Sequence, residues 1–328
     1  MTLPRVTVLS LGGTISSTGE GGVKPTLSGA DLVADVPEIA DVAKVSARSF
    51  RQVPSGELIL GDLVELAREI RSEVGAGASG VLVTQGTDTI EETAFALDLL
   101  LDLAEPVVVT GAMRNPTLPG ADGPANLLAS VQVATSRSAR DLGVLVVLND
   151  EAHAARFVRK THTQSPATFR SEPSGPVGWV AEGLFRLAQR PVGRRTVSVP
   201  GNADAPVALY TAALGDDGRV LDELPRLGYR GLVVEALGGG HVAEKVADRL
   251  EKLAREMPVV LASRTGSGEV LRNTYGFAGS EIDLIGRGLI PAGTLDGPKA
   301  RLLLSLLLRS GADRKSICAV FEKPYVEE

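Results

Sequence analysis

Residues 6–11 (VTVLSL), 81–84 (VLVT), 106–110 (PVVVT) and 143–148 (GVLVVL) are short, nearly unbroken apolar runs. Between and after them, residues 61–74, 90–103 and 125–136 space their apolar side chains as helices do. Strands that are apolar on both faces and joined through helices predict a parallel sheet covered on both sides. The pattern breaks over 190–206 (RPVGRRTVSVPGNADAP), where Pro, Gly and clustered Arg read as a linker. A second α/β unit follows. Residues 207–212, 231–236 and 259–262 read as strands, and 242–255 and 299–309 as helices, the last apolar enough to be packed. The expected division is an N-terminal domain over 1–189, a linker over 190–206 and a C-terminal domain over 207–328. No short-period repeat or low-complexity tract interrupts this plan.

Two of the apolar runs end alike. Residues 6–14 close on Gly12-Gly13-Thr14, and residues 81–89 on Gln85-Gly86-Thr87-Asp88-Thr89. Each reads as a buried strand, a tight turn, and a hydroxyl at the strand's carboxyl end, the edge at which open α/β sheets bind ligands. Thr89 and Glu92 have the spacing of a capping box for the following helix. That places Thr87 and Asp88 just ahead of a helix N-terminus, where backbone amides point at a ligand.

Composition narrows the choices. A chain of 328 residues exceeds one compact core and suits two domains. A net charge of −6 argues against a nucleic-acid footprint, and 4% aromatics leave few stacking platforms. The single cysteine, Cys318, forms no internal disulfide, and no basic-then-apolar leader precedes residue 6. The apolar stretch 302–308 is too short to span a bilayer. These features predict a cytoplasmic protein with no membrane or nucleic-acid partner.

Rival chemistries fare poorly. Residues 75–80 match G-x-G-x-x-G but precede a strand, so they offer no helix N-terminus to a pyrophosphate. P-loop and G-x-S-x-G patterns are missing. His153, His162 and His241 are scattered, and His241 with Glu244 makes only two potential ligands. Neither a metal nor a cofactor is expected. Taken singly, Thr14 and Thr87 are turn residues, Asp88 a helix cap, and Lys160 a solvated loop lysine. Together they suggest attack of an alcohol on a carbonyl. A hydroxyl needs a base to be a nucleophile at neutral pH, and with no histidine dyad in view a lysine is the natural candidate. Burial lowers a lysine's pKa toward the working range, whereas a neighbouring carboxylate orients it and opposes that shift.

Residues 11–16 (LGGTIS) resemble the first signature of the bacterial-type L-asparaginase family, and residues 84–89 (TQGTDT) its second. Residues 110–114 (TGAMR), 121–127 (ADGPANL), 147–150 (VLND), 160–163 (KTHT) and 167–169 (ATF) continue the similarity in order. The resemblance implies a larger N-terminal domain with a flavodoxin-like parallel sheet and a smaller C-terminal α/β domain. It implies an intimate homodimer, often paired into a tetramer, and hydrolysis of asparagine to aspartate and ammonia. Carried over, Thr14 becomes the nucleophile that forms an acyl-enzyme, and Thr87, Asp88 and Lys160 the second catalytic group. Asp88 also holds the substrate's α-amino group, and Ser55 grips its α-carboxylate. The Ala112 carbonyl meets the leaving nitrogen, and amides near Gly13–Thr14 and Gly86–Thr87 steady the oxyanion. Glu281 matches an acidic residue reaching the substrate amine from a neighbouring subunit, and His241 falls where the family often has Asn.

Two departures stand out. The loop 17–28 lacks the family's tyrosine, although residues 18–22 are Gly-rich enough for a lid. Gly56 replaces a Gln carried by members with glutaminase activity, which predicts preference for asparagine over glutamine. Two alternatives share the fold. The amidase-like subunit of a tRNA-dependent amidotransferase is expected to carry an N-terminal extension and a partner chain. A non-catalytic amino-acid sensor has no need of two alcohols and a lysine.

Overall fold

The computed structural model describes residues 2–13, 15, 17–18, 24–25, 28–198 and 204–322. The chain forms two compact units, Met1–Thr196 and Val197–Glu328.

The apolar runs of the first unit become strands β1 (Arg5–Ser10), β3 (Gly80–Thr84), β4 (Val107–Thr110) and β5 (Val144–Leu148). Every residue of β3, β4 and β5 is buried. Each fully buried Val or Leu contributes about 1.5–3 kcal/mol, so this interior holds the sheet in one register. Four further strands join: β2 (Lys44–Ser49), β6 (Glu151–Ala154), β7 (Gly178–Ala181) and β8 (Leu184–Leu187). Their spatial order is β8-β7-β6-β5-β4-β3-β1-β2. The expected parallel sheet holds for β2, β1, β3, β4 and β5. Beyond β5 the sheet continues antiparallel through β6, β7 and β8, which makes it mixed.

Helices α1 (Leu60–Gly75), α2 (Ile90–Leu100) and α3 (Gly123–Thr135) connect the parallel strands. Helix α2 is buried almost all round, and its Asp98 is satisfied from two directions. The carboxylate accepts from the Val144 amide at 2.9 Å and from Arg194 Nε at 3.2 Å. Burial raises this carboxyl's pKa, and the Arg194 charge opposes the rise. Arg194 also donates to the Leu101 carbonyl at 3.1 Å, so the Arg-rich segment is anchored to the first unit at this point. The capping box expected at Thr89 does not form. Residues Thr87–Thr89 make a 3-10 turn, and the Thr89 hydroxyl donates to the Ser55 carbonyl at 3.1 Å. The Thr89 oxygen accepts instead from Gln85 Nε2 at 3.3 Å, so a side-chain donor has taken the place of the local amide.

In the second unit, β9 (Val207–Thr211), β10 (Gly231–Ala236), β11 (Val259–Ser263) and β12 (Ile290–Pro291) form a parallel sheet. Helix α4 (Glu244–Glu256) turns Val246, Leu250 and Leu253 into its core. Helix α5 (Gly297–Arg309) is packed as its composition suggests, with Leu302, Leu303, Leu304, Leu306 and Leu307 buried.

Candidate active site

Register assembles the site before any side chain is considered. Ser49, Ser10, Thr84 and Thr110 form one row across neighbouring parallel strands. The chain therefore leaves β2, β1, β3 and β4 at a common edge, and residues 50–55, 11–14, 85–88 and 111–114 set out side by side. This is the carboxyl edge at which open sheets take ligands.

The loops after β1 and β3 meet backbone to backbone. Gly12 and Gly13 have φ of 99° and 93°, conformations that L side chains rarely adopt. A Cβ on Gly13 would lie 2.0 Å from the Gly86 nitrogen and 2.4 Å from the Gln85 carbonyl carbon. Gly13 is thus seated on the 85–86 peptide. Thr14 follows it but lies outside the described residues, as do residues 19–23 of the loop beyond.

Thr87 is buried, and Lys160 Nζ donates to its Oγ1 at 2.9 Å. The same ammonium donates to Asp88 Oδ1 at 2.7 Å. Lys160's side chain is 15% exposed and Asp88's 80%, so the lysine is shielded while the acid faces outward. Several contacts fix the lysine. Its amide donates to the Glu91 carboxylate, and Arg159–Lys160 pairs antiparallel with Phe169–Arg170. Thr168 Oγ1 donates to the His162 carbonyl at 2.6 Å and accepts from the His162 amide at 2.7 Å. Residues 160–163 and 167–169 are therefore two sides of one stapled turn. A cavity of about 410 Å³ opens here, lined by Asp88, Glu91, Lys160, Thr161, His162 and Thr163.

Ser55 and Ala112 complete the first unit's set. Ser55 opens the 3-10 turn Ser55–Glu57, and a Cβ on Gly86 would lie 2.8 Å from its Oγ. Ala112 is buried beside Gly111, where a Cβ would approach Thr87 Cγ2 to 3.2 Å. Gly13, Ser55, Gly86, Thr87, Asp88, Ala112 and Lys160 are brought together in this way. Among the described residues, no three His, Cys, Asp or Glu side chains gather as a metal site requires.

His241 and Glu281 belong to the second unit and meet each other at 3.1 Å, Nε2 to Oε2. Glu281 is fully buried, and its Oε1 accepts from the amides of Thr274 at 2.8 Å and Tyr275 at 2.7 Å. Burial pushes its carboxyl pKa upward, yet these amide bonds and His241 together hold it below the usual range. Tyr275 and Phe277 stand edge-on to the His241 ring, at centroid distances of 4.9 and 5.2 Å.

Comparison with known proteins supplies the family. The family model "Asparaginase, N-terminal" matches residues 5–193, and "Glutaminase/Asparaginase C-terminal domain" matches residues 206–321. The chain belongs to the asparaginase family. A probable periplasmic L-asparaginase of Haemophilus influenzae is 34% identical, over 98% of this chain and 93% of that one. The crystal structure of a probable cytoplasmic L-asparaginase from Campylobacter jejuni superposes with a TM-score of 0.89 at 31% identity, covering 98% of this chain and all of its own. A component of the glutamyl-tRNA(Gln) amidotransferase of Methanosarcina barkeri is 31% identical, over 90% of this chain but 70% of its own length.

Within this asparaginase-family chain, sequence reasoning gave no role to Glu91, Asp122, Asn126 or Thr168, which bind the backbone around the site. All four lie in or beside the signatures. Their partners are peptide groups, which leave no residue-type signal, so spacing alone could not assign them.

Proposed function

We propose that this chain is an L-asparaginase that hydrolyses the side-chain amide of L-asparagine to L-aspartate and ammonia through a threonine nucleophile. The observation that carries the reading is the Lys160 ammonium held at once on Thr87 Oγ1 and Asp88 Oδ1, on a loop that Gly13 touches directly. Thr14 Oγ attacks the amide carbon, its proton leaves with the nitrogen, the C–N bond breaks, and an aspartyl ester remains on Thr14. For deacylation Lys160 must act as the neutral amine: through Thr87 it takes a proton from water and returns it to the departing Thr14 oxygen. The water oxygen displaces the threonine alcohol and frees aspartate. Asp88 and Ser55 hold the α-amino and α-carboxylate groups. The Ala112 carbonyl accepts from the leaving amide, and amides of 13–14 and 86–87 stabilise the oxyanion.

The proposal extends to a homodimer or pair of dimers in which His241 and Glu281 of a second copy face the substrate amine. The lone Cys318 supports a reducing, cytoplasmic compartment. Among the described residues no helix is long and apolar enough to cross a membrane.

Ammonia release from asparagine, glutamine and aspartyl peptides tests the reading. Turnover of asparagine well above glutamine is expected. Gly56→Gln should narrow that gap, because a Cβ at Gly56 meets nothing within 4 Å and the longer side chain has room. Failure to turn over asparagine would remove the hydrolase assignment.

A further inference from the structure

The segment 111–114 is held by two side chains of a single helix turn. Asn126 Nδ2 donates to the Gly111 carbonyl at 3.0 Å. Asp122 Oδ2 accepts from the Met113 amide at 3.0 Å, and Oδ1 from the Arg114 amide at 2.8 Å. The two holders are themselves joined, Asn126 Nδ2 to Asp122 Oδ2, at 3.1 Å. Asn126 is buried, and its Oδ1 accepts from the Asn149 amide at 2.9 Å, which ties the end of β5 to the same point. Thr110 Oγ1 adds a bond to the Val147 carbonyl at 2.6 Å. Three signature stretches, 110–114, 121–127 and 147–150, thus form one polar network.

The residue in the middle is treated differently. Among the described residues nothing hydrogen-bonds to the Ala112 carbonyl, although Ala112 is buried and its flanking peptide groups are bound on either side. A buried carbonyl that no described residue binds is an acceptor available to a ligand, and leaving such a group unbound is costly. The same helix turn reaches the other loop as well. A Cβ on Gly123 would lie 3.1 Å from Ile15 Cγ1 and 3.5 Å from the Ala112 Cβ, so the start of α3 rests on both.

We infer that Asp122 and Asn126 are positioning residues, which clamp residues 111, 113 and 114 so that the Ala112 carbonyl is presented, unspent, to the N–H of the scissile amide. The inference rests on the proposed hydrolase reading and deepens it. It has a chemical signature. L-asparagine offers an N–H to this carbonyl, whereas the β-methyl ester of L-aspartate offers none, and both acylate the same nucleophile.

The test is kcat/KM on both substrates for the wild type and for Asn126→Ala. Displacing an aligned acceptor by a fraction of an ångström should cost the amide on the order of 10- to 100-fold. The ester should change by less than about threefold, so the amide-to-ester ratio collapses. Should Asn126→Ala fail to fold, Asp122→Asn keeps the volume and one oxygen while releasing one of the two amides. It should shift the ratio in the same direction by less. Equal losses on amide and ester in protein of unchanged thermal midpoint overturn the inference, as does no loss on either. A wild-type protein that hydrolyses the ester but releases no ammonia from asparagine would remove the asparaginase reading, and the inference with it.

Discussion

Each unit leaves a central strand through consecutive glycines, and the two turns are packed against different things. After β1, Gly13 lies on the Gln85–Gly86 backbone, with 2.0 Å between its would-be Cβ and a peptide nitrogen. After β10, a Cβ on Gly239 would lie 2.6 Å from Leu271 Cδ1 and 2.9 Å from Cγ, side-chain atoms with no backbone atom among them. A backbone neighbour cannot yield, whereas a leucine terminus can rotate. The carboxylates differ in parallel. Asp88 is 80% exposed and ion-paired to Lys160, so it keeps acceptor capacity for a ligand. Glu281 is fully buried and holds two amides and a histidine. Polar residues at a strand edge do not by themselves make the reacting centre. The working edge is the one whose backbone is immobilised while its functional groups remain unsaturated.

The largest effect should come from the glycines. Gly13→Ala forces the 12–14 and 85–87 segments apart and should lower kcat on the order of 100-fold or more, since a misplacement of about 1 Å can cost that much. Gly239→Ala should leave kcat near wild type and lower the thermal midpoint only slightly. Comparable kinetic losses in the two variants would break the contrast.

The carboxylates sharpen it. Asp88→Asn should cut kcat/KM on the order of 100-fold with little change in stability. Glu281→Gln should act first on stability, by about 1–3 kcal/mol, because the second carboxylate oxygen becomes an amide nitrogen inside a saturated pocket. Denaturant unfolding and steady-state kinetics on both variants separate the two. A larger kinetic loss for Glu281→Gln than for Asp88→Asn would reverse the assignment.

How much of this was legible in the chain depends on what carries the signal. The longer strands buried on both faces read as unbroken apolar runs and were found; the two-residue β12 is buried as well but is too short to give such a run. Strand β2 was not found, because KVSARS is half-exposed at the sheet edge and alternates polar with apolar. Strands β6 to β8 are four residues each and include Glu151, His153, Trp179 and Arg186, too short and mixed for a periodic pattern. At the site, residue types announced Thr87, Asp88 and Lys160, but their convergence depends on register and on the stapled turn at 160–168. Thr89 misled because a capping hydroxyl and a tertiary hydroxyl look the same in sequence. Asn126 and Asp122 were visible only as letters in a signature, since their work is done on peptide groups.

One effect is confined to acid pH and leaves the reacting groups untouched. His153 is buried against Ser171, with Nδ1 to Oγ at 2.9 Å. Burial, with a contribution from the Arg170 charge, pushes its pKa down from 6.5 to about 4. Between those values the unfolded chain binds a proton that the folded chain refuses. Stability is therefore intact above about pH 6.5 and falls as pH drops toward 4, by no more than about 3 kcal/mol. His153→Gln should remove that part of the slope in unfolding experiments across this window. An unchanged slope would contradict it.

The most direct measurement is intact and peptide-level mass spectrometry of Lys160→Met after mixing with asparagine. With the lysine gone from Thr87 and Asp88, water activation should slow by about 10²–10⁴-fold while attack by the first-loop alcohol continues. One aspartyl group should then accumulate as an ester on Thr14, together with one equivalent of released ammonia. An adduct on Thr87, or steady turnover with no adduct, would contradict the division of labour between the two loops.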